Sequence, residues 1–381
     1  MTQNSRIIIV AHYLLYGAGH ALRDYLLSKK TKLISCVFLP LASQRNVFIT
    51  THKQNKLSFT QTMDRSKNLG VLDYFIDVAT IIAFVFKQKP YDVYVGCDPL
   101  NCVSGLMLKS IGRVRKVIFY SIDFVPIRFE NKLLNFIYHQ LEIYCVKNSD
   151  EVWNVSPRIA EGREKFLKLS ASKYPQQVVP IGVWSDKIKK RPLNKIKKHQ
   201  ILFVGHLLEK QGVQMILDAL PGVIKKIKDV QFIIVGGGEY MNFLEAKVKK
   251  LSLDKYVTFS GWISDREQID TMMSESAIAV ATYKPEKKQL YNFTYYADPT
   301  KLKDYLSAGL PVVLTDISHN AQEIAEKKCG VLVKYDKAEI AEAIIELLSD
   351  EKNLAQYRKN ALNYAKEFDW SKIFRKVMVV A

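Results

Sequence analysis

The sequence lacks a hydrophobic run long enough to cross a membrane. Its longest apolar stretch, residues 71–86, is interrupted by Asp73 and Asp77, and it is shorter than the roughly 20 residues that a spanning helix needs. A signal peptide is not visible either, because the apolar run at residues 7–11 is too short for one. We therefore expect a cytoplasmic protein that is soluble or bound peripherally to the inner face of a membrane.

Paired cysteines and metal-ligand patterns are missing as well. The chain has five cysteines, an odd number, and no two of them have CxxC spacing. It has no His, Cys and Asp cluster with metal-ligand spacing, and neither the G-x-S-x-G nor the G-x-x-x-x-G-K-[ST] motif. These absences argue against a disulfide scaffold and against a metal, serine-nucleophile or P-loop site. We expect buried free thiols in a reducing compartment and no metal or other cofactor.

Acidic residues are few in the first half of the chain. Residues 1–200 contain 31 Lys and Arg against 14 Asp and Glu, a net charge of +17, whereas residues 201–381 contain 25 against 24, a net charge of +1. A positive field attracts phosphates in nucleic acids, anionic lipid headgroups or pyrophosphate-bearing substrates. The composition does not choose among these. Because no recognition motif interleaves basic and aromatic residues, we do not expect a nucleic acid partner.

Apolar strands alternate with amphipathic helices along the chain. The apolar run at residues 7–11 is followed by glycines and a helical pattern, and the alternation begins again at residues 200–204. Continuous apolar strands between helices indicate parallel sheets that are covered on both faces. Ligands of such sheets bind beyond the carboxyl ends of the strands. The sequence therefore predicts an α/β fold with two doubly wound domains.

Composition suggests where these domains begin and end. A stretch rich in Lys and Arg, residues 185–198, has little to bury and predicts a basic linker. It separates an N-terminal domain, residues 1–184, from a C-terminal domain, residues 199–366. A last helix is predicted at residues 367–381, packing back toward the N-terminal domain. Residues 43–68 show little apolar periodicity, which predicts a long mobile segment, and such segments are often functional.

Residues 298–313 contain the most specific candidate site. Pro299 and Thr300 are typical of a helix start, where exposed amides suit a phosphate. Lys301 lies in the first turn and Asp304 lies one turn further on the same side, where a carboxylate can accept hydrogen bonds from both hydroxyls of a ribose. The same pattern is compatible with an ordinary capped helix that carries a surface lysine and aspartate.

Glycines follow several of the predicted strands. Gly17 and Gly19 follow the first strand, Gly205 follows the strand at 200–204, and residues 236–238 are three glycines after the next strand. The spacing is not G-x-G-x-x-G, so a dinucleotide fingerprint is not indicated. Each of these turns is also compatible with a plain strand-to-helix connection.

In these segments the sequence resembles the retaining glycosyltransferases of family 4, which have the GT-B fold, with two Rossmann-like domains facing a central cleft. The resemblance covers most of the C-terminal half and, more loosely, the N-terminal half. Family members carry two spaced glutamates followed by Gly-x-Pro-Val, and residues 309–312 match this tail. The second acidic position falls on Asp304, which implies ribose binding, whereas the first falls on Tyr296. Residues 291–298 are therefore expected to contact the donor sugar, with Asp298 and neighbouring backbone amides as the candidates.

The resemblance also implies a donor-binding turn at residues 205–213. Family members hold the donor diphosphate with an arginine and a lysine. Here the arginine position is His206, Lys210 lies one place before the usual lysine, and Gln211 occupies the lysine position. The resemblance therefore implies that Gly205, His206 and Lys210 contact the donor, with Lys210 as the cation.

Further positions follow from the same resemblance. Gly237 is expected in a turn near the nucleotide base, and Gly17 and Gly19 in a loop that lets the backbone approach the donor phosphate and the acceptor. Asp123 follows an apolar strand and falls roughly where relatives carry a catalytic His or Asp. An aspartate that caps a loop is the alternative for Asp123, and His12 is more typical of a structural histidine.

The expected function is transfer of a sugar from a nucleotide diphosphate donor to a lipid-linked or otherwise anionic acceptor at an anionic membrane surface, in cell-surface polysaccharide or glycolipid synthesis. The resemblance implies retention at the anomeric carbon, by same-face attack assisted by the leaving phosphate. Two alternatives stay open. One is a sugar-nucleotide epimerase of the same fold. The other is a non-catalytic binding protein with a degenerate site, which the departures at His206 and Tyr296 favour.

Overall fold

Two compact units divide the chain. The computed structural model describes residues 4–13, 16–40, 46–65, 70, 72–286 and 289–378. Unit 1 consists of Met1–Pro180, Leu290–Asp298 and Trp370–Ala381, and unit 2 consists of Ile181–Gln289 and Pro299–Asp369.

Strands and helices alternate through most of both units. The strands are β1 (Arg6–Tyr13), β2 (Leu33–Pro40), β3 (Asn46–Lys53), β4 (Lys56–Asp64), β5 (Tyr91–Cys97), β6 (Val114–Ser121), β7 (Glu151–Asn154), β8 (Gln177–Val178), β9 (Lys197–Val204), β10 (Gln231–Val235), β11 (Val257–Gly261), β12 (Ser276–Ala281), β13 (Val312–Thr315) and β14 (Gly330–Val333). The helices are α1 (Ala18–Ser28), α2 (Leu72–Phe86), α3 (Pro99–Ser110), α4 (Lys132–Asn148), α5 (Pro157–Leu167), α6 (Val213–Lys226), α7 (Met241–Lys250), α8 (Arg266–Glu275), α9 (Phe293–Tyr296), α10 (Thr300–Ser307), α11 (Ala321–Glu326), α12 (Lys337–Ser349), α13 (Glu351–Ala365) and α14 (Trp370–Met378).

Unit 1 contains a sheet with the strand order β4-β3-β2-β1-β5-β6-β7-β8. Strands β2, β1, β5, β6, β7 and β8 are parallel to their neighbours in that order. The run Ile7–Val10 in β1 is fully buried, as expected for a central strand that helices cover on both faces. The strand order reverses between β1 and β5, so the carboxyl ends of these two strands border the position where such sheets bind ligands.

The prediction of a mobile segment at residues 43–68 is wrong for most of its length. Strands β3 and β4 form an antiparallel hairpin there, and β3 also pairs with β2. The buried positions alternate along β3, where Val47 and Ile49 point into the core. Strand β4 is exposed along almost its whole length, so it shows no hydrophobic pattern, and the cross-strand hydrogen bonds that hold it are not visible in the sequence.

Unit 2 contains a fully parallel sheet with the strand order β11-β10-β9-β12-β13-β14. Its core joins apolar side chains of the strands to those of α6 and α12, which pack against each other. The order reverses between β9 and β12, and the carboxyl ends of β9, β10 and β12 therefore surround the expected ligand position.

The predicted linker, residues 185–198, lies within unit 2. Ile188 and Ile196 are buried there, and β9 already begins at Lys197. The Ser185 hydroxyl donates a hydrogen bond of 2.7 Å to Asp369, which is the last residue of unit 2. Helix α14 lies in unit 1, where it packs against α1. Apolar side chains between basic ones therefore tie this segment to the sheet.

The cysteines and the lengths of the helices can be compared with the expectations from composition. All five cysteines are buried free thiols. Within the described ranges, each helix is either too short or too polar to span a bilayer.

Candidate functional site

Two glycine turns lie side by side at the carboxyl ends of β9 and β10 in unit 2. The Leu207 amide donates a hydrogen bond of 2.9 Å to the Gly237 carbonyl. Gly236 has a φ of +141°, and a Cβ there would lie 1.9 Å from the Gly205 carbonyl oxygen. Gly238 is similarly constrained by the Leu207 carbonyl. Close packing of the two turns therefore explains why residues 236 and 238 are glycines.

Gly237 differs from its two neighbours. A Cβ at this position would meet no atom within 4 Å, and its φ lies outside the left-handed region. Packing of the described residues therefore does not require glycine at 237. The space above its backbone is open, and contact with the nucleotide stays a prediction for this position.

Lys301 reaches from the first turn of α10 toward the Gly205 turn. Helix α10 begins at Thr300, which is exposed, and Pro299 occupies the cap position without a side-chain hydrogen bond. The Lys301 Nζ donates a hydrogen bond of 2.7 Å to Gln211 Oε1. A Cβ on Gly205 would approach the same Nζ to 2.7 Å. The glycine therefore leaves room for the ammonium beneath the turn.

The surroundings of Lys301 favour the neutral form of its side chain. Its Nζ lies 4.3 Å from the centre of the Phe203 ring. Burial lowers the pKa of Lys301 to about 7, because the ammonium loses hydration. A lysine with this pKa is half charged near neutral pH, and it gains charge when an anion binds beside it.

Asp304 faces an arginine that the sequence reasoning did not select. Its two carboxylate oxygens accept hydrogen bonds of 2.8 Å and 3.2 Å from the Arg266 guanidinium, and its side chain is 14% exposed. Arg266 also donates to Asp270 at 2.7 Å. Burial opposes the guanidinium charge, but Asp304 and Asp270 together raise the pKa of Arg266. A ribose at Asp304 would therefore share the carboxylate with a fixed cation.

The remaining residues of the donor-binding turn have separate environments. His206 is exposed and Lys210 is partly buried. The Lys210 carbonyl accepts a hydrogen bond of 3.0 Å from the Lys284 amide. Gln211, which occupies the family's lysine position, contacts Lys301 instead. Lys301 of α10 therefore places a cation beneath the Gly205 turn, whereas the sequence suggested Lys210.

Asp298 and Tyr296 lie in unit 1, in the segment Leu290–Asp298. Both side chains are buried. The Tyr296 carbonyl accepts a hydrogen bond of 2.6 Å from the Ser156 hydroxyl, and its ring packs edge-on against Phe124 at 5.2 Å. Asp298, for which donor binding is predicted, thus belongs to unit 1, whereas Thr300 and Lys301 belong to unit 2.

In unit 1, Asp123 follows β6 and forms an ion pair with Arg128. The guanidinium of Arg128 also lies 4.6 Å from the centre of the Tyr138 ring. The Ser121 hydroxyl donates a hydrogen bond of 3.1 Å to the Asp123 carbonyl. Asp123 keeps 39% of its side chain exposed, so it is both fixed in place and accessible to a substrate.

A second polar pair lies where β1 and β5 end. The Nε2 atom of His12 lies 3.2 Å from Asp98 Oδ2. Asp98 also accepts a hydrogen bond of 2.9 Å from the Asn101 amide at the start of α3, and it has a φ of +148°. Burial raises the pKa of Asp98. Strained backbone of this kind is common at functional sites. The sequence signal, an aspartate shortly after an apolar strand, resembles that of Asp123.

The loop between β6 and α4 rests on a buried ion cluster, defined by His139, Glu142 and Arg163. His139 lies 3.0 Å from Glu142 Oε2 and 2.9 Å from the Pro126 carbonyl. Arg163 donates to Glu142 at 2.9 Å and to the Ser121 hydroxyl at 2.7 Å. The cluster therefore holds the start of the loop that carries Asp123, at Ser121, and its middle, at Pro126.

The two predicted glycines of unit 1 differ in their surroundings. Gly19 lies in α1, and a Cβ there would lie 3.1 Å from the Ala11 Cβ, so close packing of helix and strand favours glycine. Gly17 precedes α1 in an extended conformation with open space around it. Its amide donates a long hydrogen bond of 3.4 Å to His20, whose pKa burial lowers to about 4. Gly17 is thus the more accessible of the two.

Among the side chains that the structure describes, no group of three or more His, Cys, Asp and Glu residues is arranged to hold a metal ion.

Residues 185–364 match the family described as glycosyl transferases group 1. Phosphatidyl-myo-inositol mannosyltransferase of Mycobacterium leprae is 26% identical over 182 residues, which are 47% of this chain and 45% of that protein. The GDP-mannose-dependent alpha-(1-6)-phosphatidylinositol monomannoside mannosyltransferase of Mycobacterium tuberculosis is 20% identical over 198 residues, 49% of this chain and 50% of that protein. The chain spans about half the length of these curated relatives.

Similarity to solved structures extends over nearly the whole chain. Anabaena HepE, crystallised with UDP and glucose, superposes with a TM-score of 0.73 over 99% of both chains at 15% identity. WaaG, a glycosyltransferase involved in lipopolysaccharide biosynthesis, superposes with a TM-score of 0.66 over 97% of this chain and 98% of its own at 15% identity. The predicted fold class, GT-B with two Rossmann-like α/β domains, is thereby confirmed.

Proposed function

We propose that this chain, whose residues 185–364 match the family described as glycosyl transferases group 1, transfers a sugar from a nucleotide diphosphate donor to an acceptor bound by unit 1. The observation that carries the proposal is the position of Lys301 beneath the Gly205 turn, at the carboxyl edge of the unit 2 sheet. This edge is where parallel sheets bind nucleotides. Asp304, one turn along α10, is suited to the ribose.

The chemistry expected of this arrangement is electrostatic. When the bond between the sugar and the diphosphate breaks, negative charge develops on the leaving phosphate, and a cation fixed nearby stabilises it. Lys301 and the amides at the start of α10 can do this without a metal or another cofactor. In the retaining reaction that we propose, the acceptor oxygen bonds to the same face of the anomeric carbon, and the acceptor proton passes to the leaving phosphate.

A donor screen tests the proposal. The chain is incubated with UDP- and GDP-linked hexoses, and release of nucleotide diphosphate is followed with and without candidate acceptors. We expect slow hydrolysis of one donor in the absence of acceptor. Interconversion of nucleotide sugars without release of diphosphate would instead favour an epimerase. Binding without either reaction would favour the degenerate binding protein that the departures at His206 and Tyr296 suggest.

Replacing Asp304 by asparagine is expected to weaken donor binding by about 1–3 kcal/mol, because the ribose hydroxyls lose a charged acceptor. Calorimetric titration with UDP and GDP measures the change. Asp270→Asn is the matched control, since Asp270 also contacts Arg266 but lies on α8. Equal losses in the two variants would show that Asp304 acts by holding Arg266, and an unchanged affinity would remove Asp304 from the site.

We further propose that the acceptor is lipid-linked or otherwise anionic and that unit 1 docks on an anionic membrane surface. Helices α2, α3 and α4 of unit 1 pack side by side, and they expose large apolar side chains. Phe75 is 69% exposed, Leu133 is 66% exposed and Phe136 is 59% exposed. Exposed basic residues, among them Lys56 and Lys132, lie in the same unit. Apolar insertion together with basic charge supports peripheral binding.

Phe75→Ser combined with Phe136→Ser is expected to reduce binding to anionic liposomes by about tenfold or more for each side chain, because insertion of a phenyl ring contributes about 1.5–3 kcal/mol. Co-sedimentation at low and physiological salt measures the effect. Trp262→Ser is the matched control, since Trp262 is 63% exposed in unit 2. If the control loses as much binding as the double variant, or if the unmodified chain does not bind at low salt, the membrane proposal is wrong.

A further inference from the structure

A cavity of about 510 Å³ lies in unit 2 between the segment at residues 185–193 and helix α13. The carboxyl end of α10 contributes Ser307 to its wall, whereas Lys301 lies at the opposite end of that helix. The Gly205 turn and Asp304 do not line it. The cavity is therefore separate from the proposed donor site.

Arg358 lies in the wall of this cavity and is 6% exposed. Its Nη1 donates hydrogen bonds of 3.0 Å and 3.2 Å to the carbonyls of Ser276 and Ala277. Among the described residues, no carboxylate forms an ion pair with Arg358. Burial lowers the pKa of Arg358 to about 10, so the guanidinium stays charged at neutral pH. A buried charge without a counter-ion is unfavourable, and an anion in the cavity would compensate it.

Ser307 provides a second and independent sign of a ligand. It is 1% exposed, and its Oγ has no hydrogen-bond partner among the described residues. A buried hydroxyl without a partner is uncommon in folded proteins, and an anion beside it would accept a hydrogen bond from it. Ser307 and Arg358 are both among the residues that line this cavity.

The residues that line the cavity include one carboxylate, Asp186, but basic side chains outnumber it, and the sides are apolar. Lys190, Lys359 and Lys366 are exposed side chains at the rim, and a positive rim attracts an anion. Leu193 and Leu362 contribute apolar surface. The volume exceeds what a single phosphate ion occupies, so the cavity has room for an organic group bonded to the phosphate.

We propose that this cavity binds a phosphate monoester, with the phosphate between Arg358 and Ser307 and the organic group along the apolar sides. The assignment rests on the buried guanidinium, the hydroxyl without a partner and the basic rim. It does not depend on the sugar-transfer activity.

Calorimetric titration of the full chain with glycerol 3-phosphate and with inorganic phosphate tests the assignment, in the presence of saturating UDP to occupy the proposed donor site. We expect glycerol 3-phosphate to bind with a dissociation constant of about 1 mM or tighter, and inorganic phosphate to bind several-fold more weakly. Arg358→Gln should weaken binding about tenfold or more, because a charge-assisted hydrogen bond is lost. Ser307→Ala should weaken it less, and Lys352→Gln, on the same helix but outside the cavity, should leave it unchanged.

A second variant tests the assignment independently, in case Arg358→Gln does not fold. Lys359→Gln combined with Lys366→Gln changes two exposed side chains, and it should also weaken glycerol 3-phosphate binding. Absence of binding at millimolar concentrations, or binding that none of these variants changes, would overturn the assignment. Vesicles containing phosphatidic acid distinguish the source of the phosphate. If Arg358→Gln binds these vesicles as well as the unmodified chain does, the ligand is a soluble monoester. If Arg358→Gln loses vesicle binding, the soluble monoester is overturned in favour of a lipid headgroup.

Discussion

Replacing Lys301 by methionine is expected to weaken binding of the donor diphosphate by about 2–3 kcal/mol, or roughly 30- to 150-fold. The Lys301 ammonium lies beneath the Gly205 turn and 4.3 Å from the centre of the Phe203 ring. Methionine is similar in length and removes the charge. Calorimetry with the preferred nucleotide diphosphate measures the change.

The pH dependence of binding provides an independent test of the same residue. Burial holds the pKa of Lys301 at about 7, so the side chain is mainly charged at pH 6 and mainly neutral at pH 8. A diphosphate binds the charged form better. Affinity should therefore fall as the pH rises through about 7, and binding near that pH should take up protons from the buffer. Lys301→Arg stays charged over this range and should flatten the profile.

Lys210 is the natural comparison, because the sequence resemblance assigns the cationic role to it. Lys210→Met is expected to weaken binding much less than Lys301→Met and to leave the pH profile intact. A larger effect at Lys210, or a pH profile that persists in Lys301→Arg, would return the role to Lys210 and contradict the structural assignment.

Replacing Arg163 by methionine is expected to lower the free energy of unfolding of unit 1 by about 3–5 kcal/mol, because it leaves a buried carboxylate without its partner. Arg163 is 0% exposed and donates hydrogen bonds to Glu142, Asn154, Gln176 and Ser121. Urea denaturation followed by an optical signal of unit 1 measures the change. Since the chain has two units, each transition is analysed separately.

The dependence of unfolding on acidic pH gives a second measurement on the same cluster. Burial alone would raise the pKa of Glu142, but Arg163 and His139 lower it below its ordinary value. A carboxyl group with a lowered pKa stabilises the folded state above its unfolded pKa of about 4.5, and this contribution is lost as the pH falls toward the folded value. Glu142→Gln should therefore reduce the acid dependence of unfolding.

Arg115→Met is the matched control for Arg163→Met. Arg115 is 83% exposed and pairs with Asp92 at 3.6 Å, and exposed ion pairs of this kind contribute about 0–1 kcal/mol. A loss below about 1 kcal/mol for Arg163→Met would show that Glu142 finds another partner. In that case the buried ion cluster would not be what fixes the loop that carries Asp123.

The local pattern of the sequence was enough for the main elements of the fold. Fully apolar runs such as Ile7–Val10 are buried central strands, and the predicted helix start at Thr300 is the start of α10. Lys301 and Asp304 follow from it, because residues three apart lie on one side of a helix. These features depend on interactions within a few residues, and such interactions are visible as periodicity and as helix-start residues.

The tertiary structure alone decided which side chains meet. Arg266 and Asp304 are 38 residues apart, and Gln211 and Lys301 are 90 apart, so no local pattern relates them. The exposed strand β4 is held by cross-strand hydrogen bonds, and the segment Leu290–Asp298 joins unit 1 although its neighbours in sequence belong to unit 2. The sequence by itself determined most of the strands and helices and the helical position of the candidate cation, but not the β3–β4 hairpin. Strand order and long-range packing determined its partners and its lowered pKa, because burial and electrostatic environment depend on residues that are distant along the chain.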